Sequence, residues 1–92
     1  MLSTQAIHEA FADEPVKRAY VFGSFARGEE QPESDVDILI GLSQPIGLYR
    51  LVAIQLKLEN AFHRTVDLVT TTGLHSSIRY QVEKERKLIY ER

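Results

Sequence analysis

The sequence of 92 residues contains no cysteine. Disulfide bonds, thiolate metal sites and cysteine nucleophiles are therefore excluded, and the composition is compatible with a reducing cytoplasm. The start of the chain also lacks a basic segment followed by an apolar run, and no apolar stretch approaches the length of a membrane span. We therefore expect a cytoplasmic protein with no membrane partner.

An excess of positive charge is missing as well. The 11 Lys and Arg residues are outnumbered by 13 Asp and Glu residues, which gives a formal net charge of -2. Without a basic balance there is no dominant surface for holding a phosphate backbone, so we expect no direct nucleic-acid partner. Hydrophobic residues make up 43% of the chain and charged residues 26%, as in ordinary globular proteins. Residues 1–92 are therefore expected to form a single domain.

Hydrophobic periodicity and turn residues divide the chain into alternating helices and strands. For the last element, a helix that continues to Tyr90 is the alternative to a strand. The predicted elements are a helix over residues 4–13, a strand over 16–22, a short helical turn over 24–27, a strand over 36–42, a helix over about 47–62, a strand over 65–70, a helix over about 74–85 and an edge strand over 87–91.

The same periodicity predicts which side chains point inward. The strand over 36–42 is nearly all apolar and is expected in the centre of a sheet. In the strand over 65–70, Val66, Leu68 and Thr70 share one face, and Asp67 and Val69 share the other. The longest helix is predicted to turn inward Leu48, Leu51, Val52, Gln55, Leu58, Glu59 and Phe62 and outward Arg50, Lys57 and Asn60, while the following helix turns inward Leu74, Ile78 and Val82.

A glycine–serine turn follows the first predicted strand at Gly23 and Ser24. Glycine tolerates a positive φ and lets the backbone come close to a ligand. Ser24 can cap a short helix whose free N–H groups face a phosphate. This turn therefore predicts a place for the phosphates of a nucleotide.

Two aspartates, Asp35 and Asp37, open the second strand. On an extended chain residues i and i+2 project from one face, so both carboxylates lie on the side opposite Val36. Hard oxygen donors on one face are what magnesium needs to bridge a protein and a polyphosphate. Asp67 joins this pair if its strand is a neighbour of the strand over 36–42.

The order of these motifs resembles that of a known superfamily. Gly23 and Ser24, ten intervening residues and then Asp35-Val36-Asp37 are similar to the signature of the DNA polymerase beta-like nucleotidyltransferases. The chain resembles their smallest members, the minimal nucleotidyltransferases, prokaryotic proteins that often act as antitoxins to HEPN-domain toxins. The resemblance implies an α/β (α+β) nucleotidyltransferase fold, with a small mixed β-sheet of about four strands and helices packed on it.

The resemblance also implies roles for the three aspartates. Asp35 and Asp37 would bridge two Mg²⁺ ions, and Asp67 would complete the ion that activates the acceptor hydroxyl and help to remove its proton. A lone aspartate at the start of a strand is also commonly a solvated edge residue. Both interpretations of Asp67 stay open at this point.

Phosphate binding is implied for the glycine–serine turn and for Arg27. Ser24 would donate a hydrogen bond to the β- or γ-phosphate of ATP, and this role is compatible with capping the helix. Arg27 either pairs with a phosphate or forms a structural ion pair with Asp35 or Glu29. Gly23, Ser24 and Arg27 are the candidate nucleotide-binding residues.

The function implied by the resemblance is the magnesium-dependent transfer of AMP from ATP to a hydroxyl, a tyrosine, of a HEPN-domain ribonuclease toxin. The protein would be a protein adenylyltransferase that acts as an antitoxin and forms a hetero-oligomer with the toxin. One physical argument agrees: the catalytic fold nearly uses up 92 residues, so a partner must supply the wall around the acceptor. The alternatives are a non-catalytic module that neutralises the toxin by contact, and a nucleotidyltransferase for a small molecule that builds its pocket by oligomerising.

Overall fold

The computed structural model describes residues 3–92 and has the predicted α/β architecture. Its helices and strands alternate along the chain and form a single sheet with helices packed on it. In chain order the elements are α1 (Thr4–Phe11), β1 (Val16–Phe22), α2 (Ser24–Arg27), β2 (Val36–Leu42), α3 (Leu48–Phe62), β3 (Val66–Thr70), α4 (Ser76–Glu85) and β4 (Lys87–Glu91).

The bounds of β1, α2, β2 and β4 are those predicted, and the other elements differ by one or two residues. Helix α1 ends before residue 13 because Pro15 disfavours the helical conformation of the residue before it, and a turn closed by Glu14 N–H and the Phe11 carbonyl follows. A helix continuing to Tyr90 is wrong. Arg86 is extended, with φ of -63° and ψ of 146°, and breaks α4 from β4.

The sheet has the strand order β3-β2-β1-β4. Strand β1 is antiparallel to both β2 and β4, whereas β2 and β3 are parallel and are joined by α3. The prediction that β2 is central is confirmed: Ile38, Leu39 and Ile40 are buried on alternating sides of the strand. A continuous apolar run is what a strand covered on both faces requires.

The two faces of the sheet are covered unequally. The helical face, defined as the side on which α1 and α3 pack, carries the main core with Phe11, Ile54 and Leu58 at its centre. The open face, on the opposite side, carries a much smaller cluster in which Leu39 packs with Leu74 and with Val82 of α4. Part of the open face is therefore left for side chains that need contact with solvent.

The predicted inward faces of the two long helices need correction. Leu48 is 75% exposed and Val52 is 42% exposed, whereas Ile54, which the pattern did not select, is fully buried. The buried stripe of α3 follows Ile54 and Leu58, and a helix with about 3.6 residues per turn then points Val52 away from the sheet. In α4, Ile78 was predicted to point inward but is 46% exposed, and Val82 is the one buried residue of this helix.

Two cations of α3 do not point freely into solvent as predicted. Arg50 and Lys57 both reach back to Glu14, which lies between α1 and β1. Their ion pairs tie α3 to the end of α1 on the helical face. No helix within residues 3–92 combines the length and apolarity needed to span a membrane.

Candidate active site

The turn after β1 brings the backbone against an acidic side chain. Gly23 has a φ of 72°, a region that L-residues with a Cβ rarely adopt. A Cβ built on Gly23 would overlap Oδ2 of Asp37 and would lie 3.2 Å from its Cγ. Only glycine fits here, both because of its conformation and because of the space that Asp37 occupies.

Ser24 is placed differently from the prediction. Gly23 is the N-cap residue of α2, and Ser24 is the first residue inside the helix, so no side chain caps this end. The cap prediction is wrong because the positive φ of Gly23 already turns the chain into the helix one residue earlier. The Ser24 hydroxyl is consequently not committed to the cap and lies beside the Gly23 turn.

The three aspartates meet at one edge of the open face. Asp37 of β2 and Asp67 of β3 are direct partners in the parallel register. Val36 is fully buried on the helical face, and its N–H donates to the Thr65 carbonyl at 2.9 Å. Strand alternation therefore places Asp35 and Asp37 on the same side as Asp67, as the sequence predicted for neighbouring strands.

The electrostatics of this edge are unfavourable for an isolated carboxylate. Burial raises the pKa of Asp37 above its usual value, and the nearby carboxylates of Asp67 and Asp35 raise it further. Arg27 is the cation that opposes the shift, and it offsets only part of it. Asp37 is partly buried, while Asp35 and Asp67 are exposed.

The chemistry of this donor set fits a divalent cation. Three carboxylates at one edge supply the oxygen ligands that magnesium prefers, and the proximity of Asp67 and Asp35 adds to the rise that burial causes in the pKa of Asp37. Their side chains are not drawn together into a finished cage: no group of three His, Asp or Glu side chains among residues 3–92 is arranged to hold an ion as it stands.

Arg27 is held by two carboxylates. Its Nε donates to Glu29 Oε1 at 2.8 Å, and its Nη1 donates to Glu85 Oε1 at 3.1 Å. The ion pair with Glu29 is one of those predicted, and the pair with Asp35 does not form. The guanidinium lies close enough to Asp37 to lower the pKa of that carboxyl group.

Glu85 is the site residue that sequence reasoning missed. Its Oε1 also accepts a hydrogen bond from Gly23 N–H at 3.1 Å, so that one carboxylate joins the glycine turn and Arg27. Residues 23 and 85 are 62 positions apart, and no local pattern signals the contact. A carboxylate at the end of a predicted helix that precedes an edge strand is the only available hint.

Comparison with known families gives one match over nearly the whole chain. The family model described as "Polymerase beta, Nucleotidyltransferase" matches residues 5–92. Among individual proteins, protein adenylyltransferase MntA of Thermococcus cleftensis is 37% identical over 70 residues. That alignment covers 76% of this chain and 71% of the relative.

Two solved structures have the same fold. One is a crystal structure of a toxin–antitoxin with AMP-PNP; the alignment has a TM-score of 0.85 and 24% identity and covers 99% of this chain and 75% of the other. The second is a complex of tri-AMPylated Shewanella oneidensis HEPN toxin with MNT antitoxin, with a TM-score of 0.74, 21% identity and coverage of 97% and 70%. At these identities the likeness concerns the fold alone.

Proposed function

This chain belongs to the polymerase beta nucleotidyltransferase family, and on that premise we propose that it transfers AMP from ATP to a tyrosine hydroxyl of a HEPN-domain toxin and thereby acts as an antitoxin. The observation that carries the proposal is the register of β2 and β3, which pairs Asp37 with Asp67. With Asp35 on the same face, the chain presents three carboxylates beside a glycine turn.

The reaction makes one bond and breaks one. The acceptor oxygen attacks the α-phosphorus of ATP, its proton leaves, and the bond from the α-phosphorus to the bridging oxygen of pyrophosphate breaks. The products are an AMP ester of the hydroxyl and pyrophosphate. Positioning of these groups in line supplies a large part of such a rate acceleration.

Asp67 suits the role of the base. It is exposed at the strand edge, in register with Asp37, so an acceptor arriving from solvent can place its hydroxyl there. Asp35 and Asp37 would hold two Mg²⁺ ions, and Asp67 would contribute to one of them. The cations supply positive charge that offsets the charge building up on the phosphates.

Ser24 and Arg27 would hold the triphosphate. The Ser24 side chain makes no capping hydrogen bond at the start of α2, so its hydroxyl would donate to a phosphate, whereas Gly23 N–H already donates to Glu85 Oε1 at 3.1 Å. Arg27 adds a guanidinium that suits phosphate oxygens. Together they would contact the β- and γ-phosphates.

The names of relatives support a protein partner. The Thermococcus relative is named a protein adenylyltransferase, and the Shewanella complex contains an AMPylated HEPN toxin. A structural neighbour bound to AMP-PNP supports ATP as the donor.

The test is a transfer assay with position-specific label. The chain is incubated with Mg²⁺, a HEPN-domain toxin and ATP labelled either at the α- or at the γ-phosphate. We expect label on the toxin from α-labelled ATP only, at a tyrosine located by mass spectrometry, and none with Asp37→Asn. Inhibition of the toxin without any label would contradict the proposal and favour neutralisation by contact alone.

A further inference from the structure

Glu85 occupies the groups that the proposed reaction needs for phosphate. Its Oε1 accepts hydrogen bonds from Gly23 N–H and from Arg27 Nη1, each at 3.1 Å, and its Oε2 lies 3.3 Å from the same Nη1. The Glu85 side chain is only 18% exposed. A carboxylate here presents oxygen atoms to one backbone donor and one guanidinium, as a phosphate would.

The surroundings make this an unfavourable place for a further negative charge. Glu85 is close enough to Asp37 to contribute to the raised pKa of that carboxyl group. Arg27 is shared between Glu85 and Glu29, so the single guanidinium already faces two carboxylates. An arriving triphosphate would have to compete with both for Arg27 and with Glu85 for Gly23 N–H.

Glu85 stands at the junction between α4 and β4. It is the last residue of α4, and Arg86 after it is extended. Helix α4 is buried only at Val82, while Tyr80 is largely exposed. Val82 is buried in the last turn itself, and the Arg86 guanidinium lies 4.2 Å from the centre of the Tyr20 ring. The backbone at the end of α4 is therefore anchored, and displacement of the carboxylate requires only a rotation of the Glu85 side chain.

We propose that Glu85 is a gate on the nucleotide site: its carboxylate holds Gly23 N–H and Arg27 until the triphosphate of ATP displaces it and the Glu85 side chain rotates away. This inference rests on the proposed nucleotidyl transfer. The gate competes only with the β- and γ-phosphates, so it acts on ligands that carry them and not on ligands that lack them. It weakens ATP binding and leaves AMP binding unaffected.

The experiment compares Glu85→Ala and Glu85→Gln with the parent by calorimetric titration with ATP and with AMP, both in the presence of Mg²⁺. Hydrogen bonds that involve charged groups are among the strongest in proteins, so we expect Glu85→Ala to bind ATP about tenfold more tightly. Glu85→Gln keeps an acceptor for Gly23 N–H but loses the negative charge that pairs with Arg27. We therefore expect this variant to bind ATP about threefold more tightly than the parent. AMP affinity stays unchanged in both variants.

Glu83→Gln is the matched control, because Glu83 is an exposed carboxylate on the same helix. It removes the same charge and should leave ATP affinity at the parental value. Melting curves of all variants check that the fold is intact. If Glu85→Ala and Glu85→Gln bind ATP with the affinity of the parent, or less tightly, Glu85 is not a gate.

The transfer assay separates this failure from that of the proposed function. A parent chain that binds ATP and labels its partner, together with unchanged affinities in the Glu85 variants, overturns the gate and leaves nucleotidyl transfer standing. Absence of ATP binding in the parent and in every variant overturns both. Tighter ATP binding that is matched by equally tighter AMP binding also overturns the gate, since the effect would then not lie at the phosphates.

Discussion

Two acidic side chains, one on each side of the sheet, are shielded from solvent but differ in their neighbours: one lies beside cations and the other beside carboxylates. Glu14, next to the helical face, is 8% exposed and accepts hydrogen bonds from Arg50 Nε at 2.7 Å and from Lys57 Nζ at 2.9 Å. Burial alone would raise the pKa of Glu14, but the hydrogen bonds from Lys57 and Arg50 lower it below its usual value. The negative charge of Glu14 is therefore neutralised by two cations of the same fold.

Asp37 on the open face is the opposite case. Burial and the neighbouring Asp67 and Asp35 raise its pKa, and Arg27 compensates only in part. An acid whose charge is paired within the fold stabilises the fold, whereas an acid surrounded by like charges is kept at a cost in stability. Acids of the second kind are typical of functional sites. The comparison predicts that substitutions on the two sides will affect different measurements.

Asp37→Asn should have the largest effect of these substitutions on activity and should not lower the stability of the fold. Removing one charge from a cluster of like charges relieves repulsion, so the free energy of unfolding at neutral pH should hold or rise. AMP transfer should be abolished, because the site loses one of the carboxylates that would hold Mg²⁺. Thermal melts and the transfer assay on the same preparation test this, and a clearly lower melting temperature would mean that Asp37 is structural.

Asp67→Asn tests whether a second aspartate of the same site acts in transfer and not in ATP binding. ATP affinity should stay nearly unchanged, because Asp35, Asp37 and the phosphate-binding turn are retained. Single-turnover transfer should fall about 100-fold to 10,000-fold, which is the usual effect of losing a positioned base. Turnover within a few-fold of the parent would instead make Asp67 a solvated edge residue.

Glu14→Gln is the reciprocal test on the helical face. Hydrogen bonds to charged groups contribute about 1.5–3 kcal/mol each, so we expect a loss of about that size in the free energy of unfolding. Arg50 and Lys57 are partly exposed and regain water, which limits the cost. Denaturant titration measures the loss. Transfer activity of the folded variant should match that of the parent. A loss of activity without unfolding would contradict a purely structural role for Glu14.

The smallest effects should appear in the pH dependence of stability, with opposite signs. The pKa of Asp37 is raised on folding, so its stabilising contribution is present at low pH and is lost as pH rises through its folded pKa. The pKa of Glu14 is lowered, so its contribution is present at higher pH and is lost as pH falls through its folded pKa. As pH rises above the usual pKa of an aspartate, the advantage in stability of Asp37→Asn over the parent should grow, and as pH falls below the usual pKa of a glutamate, the deficit of Glu14→Gln should shrink. Parallel stability curves for the two variants would contradict these assignments.

Local chemistry explains why most of the fold could be predicted from the sequence. Strand β2 is a continuous apolar run bounded by polar residues, and Pro15 and Gly23 mark the two ends of β1. The inward faces of the helices were harder to predict. Leu48 and Val52 satisfy helical periodicity as well as Ile54 does, and only the position of α1 and the sheet decides which of them is buried.

The site was predictable in its residues and less so in its contacts. Asp35, Asp37 and Asp67 reach one edge because alternation along a strand is local and because β2 and β3 pair in register. The contact of Glu85 with Gly23 depends on the return of α4 across the sheet, which no short pattern encodes. The catalytic and metal-binding roles of the three aspartates, and the nucleotide-binding roles of Gly23, Ser24 and Arg27, stay predictions that the experiments above test.

The strand order has a consequence for how the chain folds. Strands β2 and β3 belong to one continuous segment joined by α3, so Asp37 and Asp67 can meet through a local unit. Strand β4 must instead find β1 across the chain, and the Arg18–Glu91 ion pair at that junction spans 73 positions. Long-range pairings form slowly because loop closure costs entropy before the contacts repay it. During refolding, pulse-labelled hydrogen exchange should therefore protect the amides of β2 and β3 before those of β4.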